Sequence, residues 1–401
     1  MISITEALQL IDQHAAQLPP QQVAALTAIG CLLAEEVASD VDSPPHDKAM
    51  MDGYAVVAAD LASGVAELEV IEEITAGNMP TKAVARSQAA RIMTGAPIPS
   101  GADAVVMIEQ TQPLENNRVR IEATGIATGK NIMPKASSLA CGVTVLPSGK
   151  RLRALEVGVL AEVGRSEVSV VPRPRVAVLS TGDELVDVTE KPGPGRIRNS
   201  NGPMLLAQIA AAGGVAENLG IARDVREELT EKIACGLEAD ILVLSGGVSA
   251  GVLDLVPSVL AQQQVTQVFH KVHLKPGKPI WFGKRDVDGK TTLVFGLPGN
   301  PVGSLVCFEL FVRRAIGILA GLTSNELQSA EVTLAETFTH RGDRPTMFPA
   351  RWADATQQTA LPLAWKGSAD LAAMASADLL LQFRAGDAEY RAGDRLAGLI
   401  L

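Results

Sequence analysis

The chain has 401 residues, 47 % of them hydrophobic and 20 % charged, an ordinary globular composition too long for one core, so two to four domains are expected. A formal charge of −10, no Lys/Arg run and only 3 % aromatic residues argue against a nucleic-acid or anionic-membrane partner. The scattered cysteines, Cys31, Cys141, Cys235 and Cys307, make no C-x-x-C pair, which argues against a zinc ribbon or disulfide framework and points to a reducing cytoplasm.

In chain order, Met1-Ile-Ser-Ile-Thr-Glu6 has neither a basic n-region nor an apolar h-region, so no signal peptide is expected. Ile4, Leu8, Ile11 and Leu18 stand near helical spacing and predict an amphipathic helix over 3–18, stopped by Pro19-Pro20. A short helix is expected over 26–40, ending at Asp40, and then a Pro-containing crossover from 43 to 47. Residues 55–146 change character. Their short apolar runs (70–71, 91–93, 104–108, 119–121 and 143–146) are separated by Gly, Pro and Asn and predict a β-rich region. Arg173-Pro174 reads as a linker.

Residues 175–320 alternate. Strands are expected at 176–179, 217–221, 241–244 and 292–295, and helices at 204–212, 227–237, 254–263 and 302–320. This predicts an α/β domain with a doubly wound, mainly parallel central sheet. The last helix is the most apolar, yet it contains Glu309, Arg313 and Arg314, so it reads as buried rather than membrane-spanning. From about Ser329, short strands with Gly turns predict a small C-terminal β domain.

In an open α/β sheet, ligands sit beyond the carboxyl ends of the strands. Three expected strand ends carry unusual loops: Ser180-Thr181-Gly182-Asp183-Glu184; Ser245-Gly246-Gly247-Val248-Ser249, with Asp254 following; and Gly296-Leu297-Pro298-Gly299-Asn300-Pro301. Small residues let the backbone approach a ligand, and hydroxyls and N–H groups bind anionic oxygens. In the third loop Asn300 suits an N-cap and Pro301 the first helical position, so a helix N-terminus offers N–H donors and its positive dipole end. Lys275-Pro-Gly-Lys278 adds two cations. Together these features predict a phosphate-bearing ligand.

Asp183, Glu184, Asp224 and Asp254 are placed beside these donors, and carboxylates next to a phosphate site commonly share Mg²⁺ with it. The blander alternatives are an N-cap for Asp183 and a solvated turn for Lys275. His270 and His273, three residues apart on a strand-like stretch, point to opposite faces, so a shared metal is not expected. No His stands in a strand-end loop to pair with Ser180, Ser245 or Ser249, which gives a hydrolase triad little support. Walker A and G-x-G-x-x-G sequences are missing, so a nucleotide would be held by another loop type.

Those loops, in that order, resemble the molybdopterin-binding domain of molybdenum cofactor assembly proteins. The whole chain resembles the MoeA family of molybdopterin molybdenumtransferases, related to the E domain of gephyrin. Further matching segments are Met51-Asp-Gly-Tyr-Ala-Val56, Arg91-Ile-Met-Thr-Gly-Ala-Pro97, Gly101-Ala-Asp-Ala-Val-Val-Met107 with Glu109, Gly220-Ile-Ala-Arg-Asp224 and Lys275 to Pro279. The resemblance implies insertion of molybdenum from molybdate into adenylylated molybdopterin with AMP release, using Mg²⁺. It implies four parts: a linking domain (20–45 and 143–173), a β-rich domain (46–142), the α/β molybdopterin-binding domain (2–18 and 174–322) and a C-terminal β domain (326–401). It also implies a homodimer in which Asp52 and Thr94 reach the site in trans, with a molybdopterin adenylyltransferase and molybdenum apoenzymes as partners.

By the same resemblance Asp52, Asp224 and Asp254 are the catalytic candidates, and Glu184 with Asp254 the metal pair. Thr94, Thr181, Gly182, Asp183, Glu184, Ser245, Gly246, Gly247, Ser249, Lys275, Lys278, Pro298, Gly299, Asn300 and Pro301 are the binding candidates. The chain departs from the family where Met133-Pro-Lys-Ala-Ser-Ser138 stands in place of arginines and a Gly-Glu-Asp, leaving Ser138 where the family has aspartate. Lys135 is then a candidate replacement for an arginine, though a poorer clamp. The alternative function is a divergent paralogue, a carrier or regulator that binds molybdopterin or molybdate without inserting the metal.

Overall fold

Successive residues of the strand Arg175–Thr181 go to opposite faces of a sheet: Val176 and Val178 join one buried apolar cluster, Ala177 and Leu179 another. Ile241 and Val243 are divided in the same way from Leu242 and Leu244, and Phe295 from Val294. A sheet apolar on both faces must be covered on both. The helix Asn201–Ala211 supplies Leu205 and Ile209 to the first cluster, as does the helical run from Pro301 with Val302, Val306 and Phe308. The helices Arg226–Gly236 and Val256–Gln262 supply Leu229, Ile233, Val256 and Val259 to the second.

This computed structural model describes residues 1–247 and 255–401. Two expected site residues, Ser249 and Asp254, lie outside the described residues, as does the start of the helix expected from 254. The described chain forms two units. One is Met1–Gln22 with Gly30–Leu32 and Ser169–Leu401; the other is Val23–Ile29 with Leu33–Val168.

In the first unit the sheet has six strands, in the order Val215–Ala222, Arg175–Thr181, Ile241–Ser245, Lys290–Leu297, Trp281–Val287 and Thr266–His270. The first four pair in parallel, and Trp281–Val287 runs antiparallel to both of its neighbours. The doubly wound, mainly parallel sheet is therefore present, with an antiparallel edge that the alternation did not predict. Asp288 and Gly289 explain that edge. Both have positive φ, 52° and 76°, and they connect Val287 to its partner Lys290, the two-residue Asp-Gly turn that hairpins favour.

The first helix is Ile4–His14, with a capping box in which Ser3 N donates to Glu6 Oε2 (2.7 Å) and Glu6 N to Ser3 Oγ (3.1 Å). It is shorter than the expected 3–18, and Pro19-Pro20 does not end it. Ala15 is already extended, and Leu18 N donates instead to Leu319 O at 2.9 Å. The long helix after Pro301 is interrupted by a π-helical turn, Phe308–Val312, before Arg313–Leu319. The expected C-terminal β domain is a closed barrel of Ser329–Leu334, Thr359–Pro362, Thr346–Trp352, Leu379–Phe383 and Arg395–Ile400. Val332, Ala350, Leu379, Leu381 and Phe383 fill its core.

The second unit is β-rich, as expected. Its six-stranded sheet runs Ala104–Met107, Gly53–Val56, Gln88–Ile92, Val65–Ile74, Arg118–Glu122 and Thr111–Leu114. The helix expected over 26–40 does not form. Only Ala25–Thr27 is helical, as one 3₁₀ turn, and Leu32–Leu33 and Val37–Ala38 are short strands. Gly30 at φ 85° breaks the helical path, and Val37–Ala38 pairs with Thr144–Leu146. Local helix preference thus yields to strand pairing.

Candidate functional site

The three strands whose carboxyl ends carry the unusual loops are direct neighbours in the sheet. Ser180 pairs with Ser245, and Ser245 with Leu297, so the loops leave one edge side by side. The chain order reverses between Arg175–Thr181 and Ile241–Ser245, and a crevice at such a reversal is where open α/β sheets bind ligands.

Glycine is needed for this closeness. Gly246 has φ 91°, and a Cβ there would stand 2.6 Å from Thr181 O. Its N–H donates to Leu297 O at 3.2 Å, joining the second loop to the third. Asn201, at the start of the helix Asn201–Ala211, ties them again: Nδ2 donates to Ser245 Oγ and to Gly299 O, both at 2.8 Å. Asn199 Oδ1 accepts from Ser180 Oγ (3.1 Å) and Gly202 N (3.0 Å), fixing the helix start to the first strand. Two adjoining cavities open over this edge. One, of about 410 Å³, is lined by Thr181, Glu184, Asn201, Ser245, Gly246 and Asn300 among others. The other, of about 250 Å³, adds Gly182, Asp224 and Gly247. In their walls Thr181 Oγ1 and Asn201 Oδ1 are buried without a hydrogen-bond partner among the described residues, and buried polar groups ordinarily have one.

The acidic residues gather at the same edge. Asp183 is not an N-cap: its Oδ1 accepts from Asp224 N at 3.2 Å. Its carbonyl receives Arg223 Nη1 at 2.9 Å and also Arg196 Nη1. Burial first, then the carboxylates of Asp183 and Glu184, push the Asp224 carboxyl above its ordinary range. Such a group gains from a nearby cation. Glu184 and Asp224 border one cavity, which suits a divalent ion. Still, among the described residues no three His, Cys, Asp or Glu groups converge on a metal position.

The third loop differs from expectation in its donors. Asn300 is the N-cap, but its side chain makes no capping bond. Pro301 has no N–H, and Val302 N donates to Ser368 O at 3.1 Å. The cations matter more. Lys275 and Lys278, with Arg344 from the barrel, line a cleft of about 370 Å³ that shares Pro279, Pro298 and Asn300 with the first cavity. Lys275 is no solvated turn. It is half-buried, its N–H donates to Pro345 O (2.9 Å) and its carbonyl accepts from Met347 N (2.8 Å).

In the second unit, Asp52 and Thr94 come together. Asp52 Oδ1 accepts from Thr94 N at 2.6 Å and from Thr94 Oγ1 at 2.7 Å. These bonds, the backbone one foremost, hold the exposed Asp52 carboxyl below its usual range. Gly53 is required by close approach, since a Cβ would stand 1.8 Å from Val106 O. Lys135 does not serve as a free clamp: Nζ pairs with Asp42 Oδ2 at 3.1 Å and its N–H donates to Asp47 Oδ1 at 2.7 Å.

Sequence reasoning missed Asn199, Asn201 and Arg344. For the first two a signal existed, Asn-Ser-Asn-Gly-Pro ahead of an apolar helix, which is cap chemistry. Arg344 carried none, because only the fold brings the barrel to the Lys275 turn.

Known families match the chain in three blocks. The MoeA N-terminal region (domains I and II) matches residues 2–164, a probable molybdopterin-binding domain residues 177–317, and the MoeA C-terminal region (domain IV) residues 331–400. A protein of Staphylococcus aureus (strain MSSA476) named molybdopterin molybdenumtransferase is 35 % identical over 402 residues, covering 98 % of this chain and 94 % of its own. A Staphylococcus epidermidis protein of the same name is 34 % identical over 400 residues, with the same coverage. Two solved structures of a molybdopterin biosynthesis MoeA protein from Pyrococcus horikoshii overlay the fold with TM-scores of 0.78 and 0.74 at 29 % and 27 % identity. Each covers 100 % of this chain, and 99 % and 100 % of the other.

Proposed function

We infer the function from the premise that this chain belongs to the MoeA family: it is a molybdopterin molybdenumtransferase, inserting molybdenum into molybdopterin during cofactor biosynthesis. The observation that carries this at the level of the site is the junction of three loops at one sheet edge, stitched by Asn201. The loop edge offers hydroxyls and glycine backbone to the phosphate-bearing pterin. Lys275, Lys278 and Arg344 offer positive charge to molybdate, which is a substrate and not a resident cofactor. A site of this kind works by holding two anions together while like charges are offset.

We further assign the pterin substrate as its adenylylated form, with AMP as co-product. Magnesium is assigned to Glu184 and Asp254. Asp254→Asn should weaken Mg²⁺-dependent binding of adenylylated molybdopterin; equal affinity with and without Mg²⁺ in the unaltered protein removes the metal assignment. Asp52 and Thr94 are assigned to the site of a second copy in a homodimer. A mixture of Asp52→Ala chains with chains altered at the loop edge should then regain activity, and no regain counts against the trans arrangement. Four parts (20–45 with 143–173, 46–142, 2–18 with 174–322, and 326–401) remain our division of the chain. The free state of all four cysteines supports a cytoplasmic setting, with a molybdopterin adenylyltransferase upstream and molybdenum apoenzymes downstream. Among the described residues no helix is long and apolar enough to cross a membrane.

The deciding experiment is molybdate-dependent AMP release from adenylylated molybdopterin by the purified chain, followed by reconstitution of a molybdenum apoenzyme. Pterin binding with neither outcome would overturn the insertase reading.

A further inference from the structure

The cations of the Lys275 cleft are held by a buried hydrogen-bond chain that begins at a histidine outside it. His340, on the strand Phe338–His340, is 3 % exposed. Its ring stacks on Phe383, with centroids 5.4 Å apart and planes at 11°. Nδ1 stands 3.0 Å from Gly386 O and Nε2 stands 2.9 Å from Thr346 Oγ1. A carbonyl can only accept, so Nδ1 carries a hydrogen, and in the neutral ring Nε2 accepts from the Thr346 hydroxyl. Thr346 is 1 % exposed, and Arg344 O, 3.2 Å from its Oγ1, is a second and more distant acceptor for the same single hydroxyl hydrogen.

The segment 344–347 that Thr346 anchors is the one that holds both barrel-side cations. Lys275 pairs with Thr346, bonding to Pro345 and Met347 through its own N–H and carbonyl. Arg344 Nη1 donates to Leu274 O at 3.1 Å. Gly342 confirms the closeness: a Cβ there would lie 3.8 Å from His340 Nε2 and equally 3.8 Å from Lys275 Nζ.

We propose that His340 is a positioning residue for the oxyanion cleft, acting through Thr346 to set the places of Lys275 and Arg344. It touches no substrate. The proposal rests on the reading of that cleft as the molybdate site. Losing the Nε2–Thr346 bond removes one of the bonds that fix this segment, while its backbone pairing stays, so it loosens the placing of two cations and weakens capture of molybdate more than turnover of bound molybdate.

The test is KM for molybdate and kcat for AMP release, with thermal unfolding, in the full-length protein and in His340→Gln, His340→Asn, Thr346→Val and Lys278→Met. A Gln amide reaches the place of Nε2, and an Asn amide only that of Nδ1. His340→Asn and Thr346→Val should each raise KM about fivefold, the worth of one net hydrogen bond, with kcat nearly kept. His340→Gln should stay near the unaltered protein. The double variant His340→Asn/Thr346→Val should be no worse than either single one. Unchanged KM in Thr346→Val, or equal KM in the Gln and Asn variants, overturns the proposal. Should His340→Asn fail to fold, Thr346→Val decides alone. Lys278→Met separates the two readings: if it leaves KM unchanged, the cleft is not the molybdate site and the positioning role falls with it.

Discussion

One oxygen of Asp52 receives both the backbone N–H and the hydroxyl of Thr94, at 2.6 and 2.7 Å, across a separation of 42 residues. Oδ2 has no hydrogen-bond partner among the described residues. A bare turn aspartate would bond its own neighbourhood two residues on; here the carboxylate is aimed and kept ionised by a distant segment.

Thr94→Val removes the hydroxyl bond and leaves the backbone one. The Asp52 carboxyl should then titrate at higher pH, closer to its ordinary 3.8. In the unaltered protein its contribution to stability is present above 3.8 and is lost as pH falls through the depressed native value. The variant should show a smaller loss in that window, read by carboxyl-carbon NMR titration against Asp52→Asn. An unmoved titration would show that the hydroxyl bond does not matter in solution.

Asn201→Ala should uncouple the second and third loops. It deletes two hydrogen bonds in a buried setting, at a cost of about 1–3 kcal/mol. A lower urea midpoint with unchanged slope is expected, together with weaker pterin binding. Unchanged pterin affinity alongside lost stability would make Asn201 a structural staple only.

Gly246→Ala forces a side chain onto a backbone at φ 91° and against Thr181 O at 2.6 Å. The conformation alone costs about 1–3 kcal/mol. Because the displaced carbonyl belongs to the first loop, ligand binding should fall further than stability does. Calorimetric titration with molybdopterin at a temperature where the variant stays folded checks this.

Glu156 is buried at the start of the helix Ala154–Glu162, where Arg153 Nη2 meets Oε1 at 2.7 Å and Arg153 N–H meets Oε2 at 2.9 Å. Hydrogen bonding to the Arg153 guanidinium pulls its pKa from 4.5 down to about 2. Its stabilisation is therefore present above 4.5 and disappears as pH falls from there through about 2. Urea midpoints of the unaltered protein and Glu156→Gln should differ at neutral pH and converge toward pH 2 in that window. A difference independent of pH would contradict the charged-pair account.

The central sheet was legible because burial on both faces leaves a continuous apolar run such as Val176-Ala177-Val178-Leu179, followed by the small polar Ser180 and Thr181. Its edge hairpin was legible too, in Asp288-Gly289, but the turn went unread. The helix assigned to 26–40 was misread for a physical reason. Leu, Ala and Glu are good helix formers, but propensity is worth little beside tertiary context, and pairing with Thr144–Leu146, more than a hundred residues away, outweighs it. The loops were readable from composition, whereas the bonds from Asn201 to Ser245 and Gly299 and from Lys275 to the barrel depend on contacts that no local spacing encodes.

The Lys275 turn takes its backbone partners from Pro345 and Met347, and the opposing cation comes from Arg344. The cleft therefore has no complete wall until the barrel and the segment with Trp365, Gly367 and Ser368 are in place. The cleft is thus a product of tertiary closure: neither the Lys275 turn nor the barrel carries it alone.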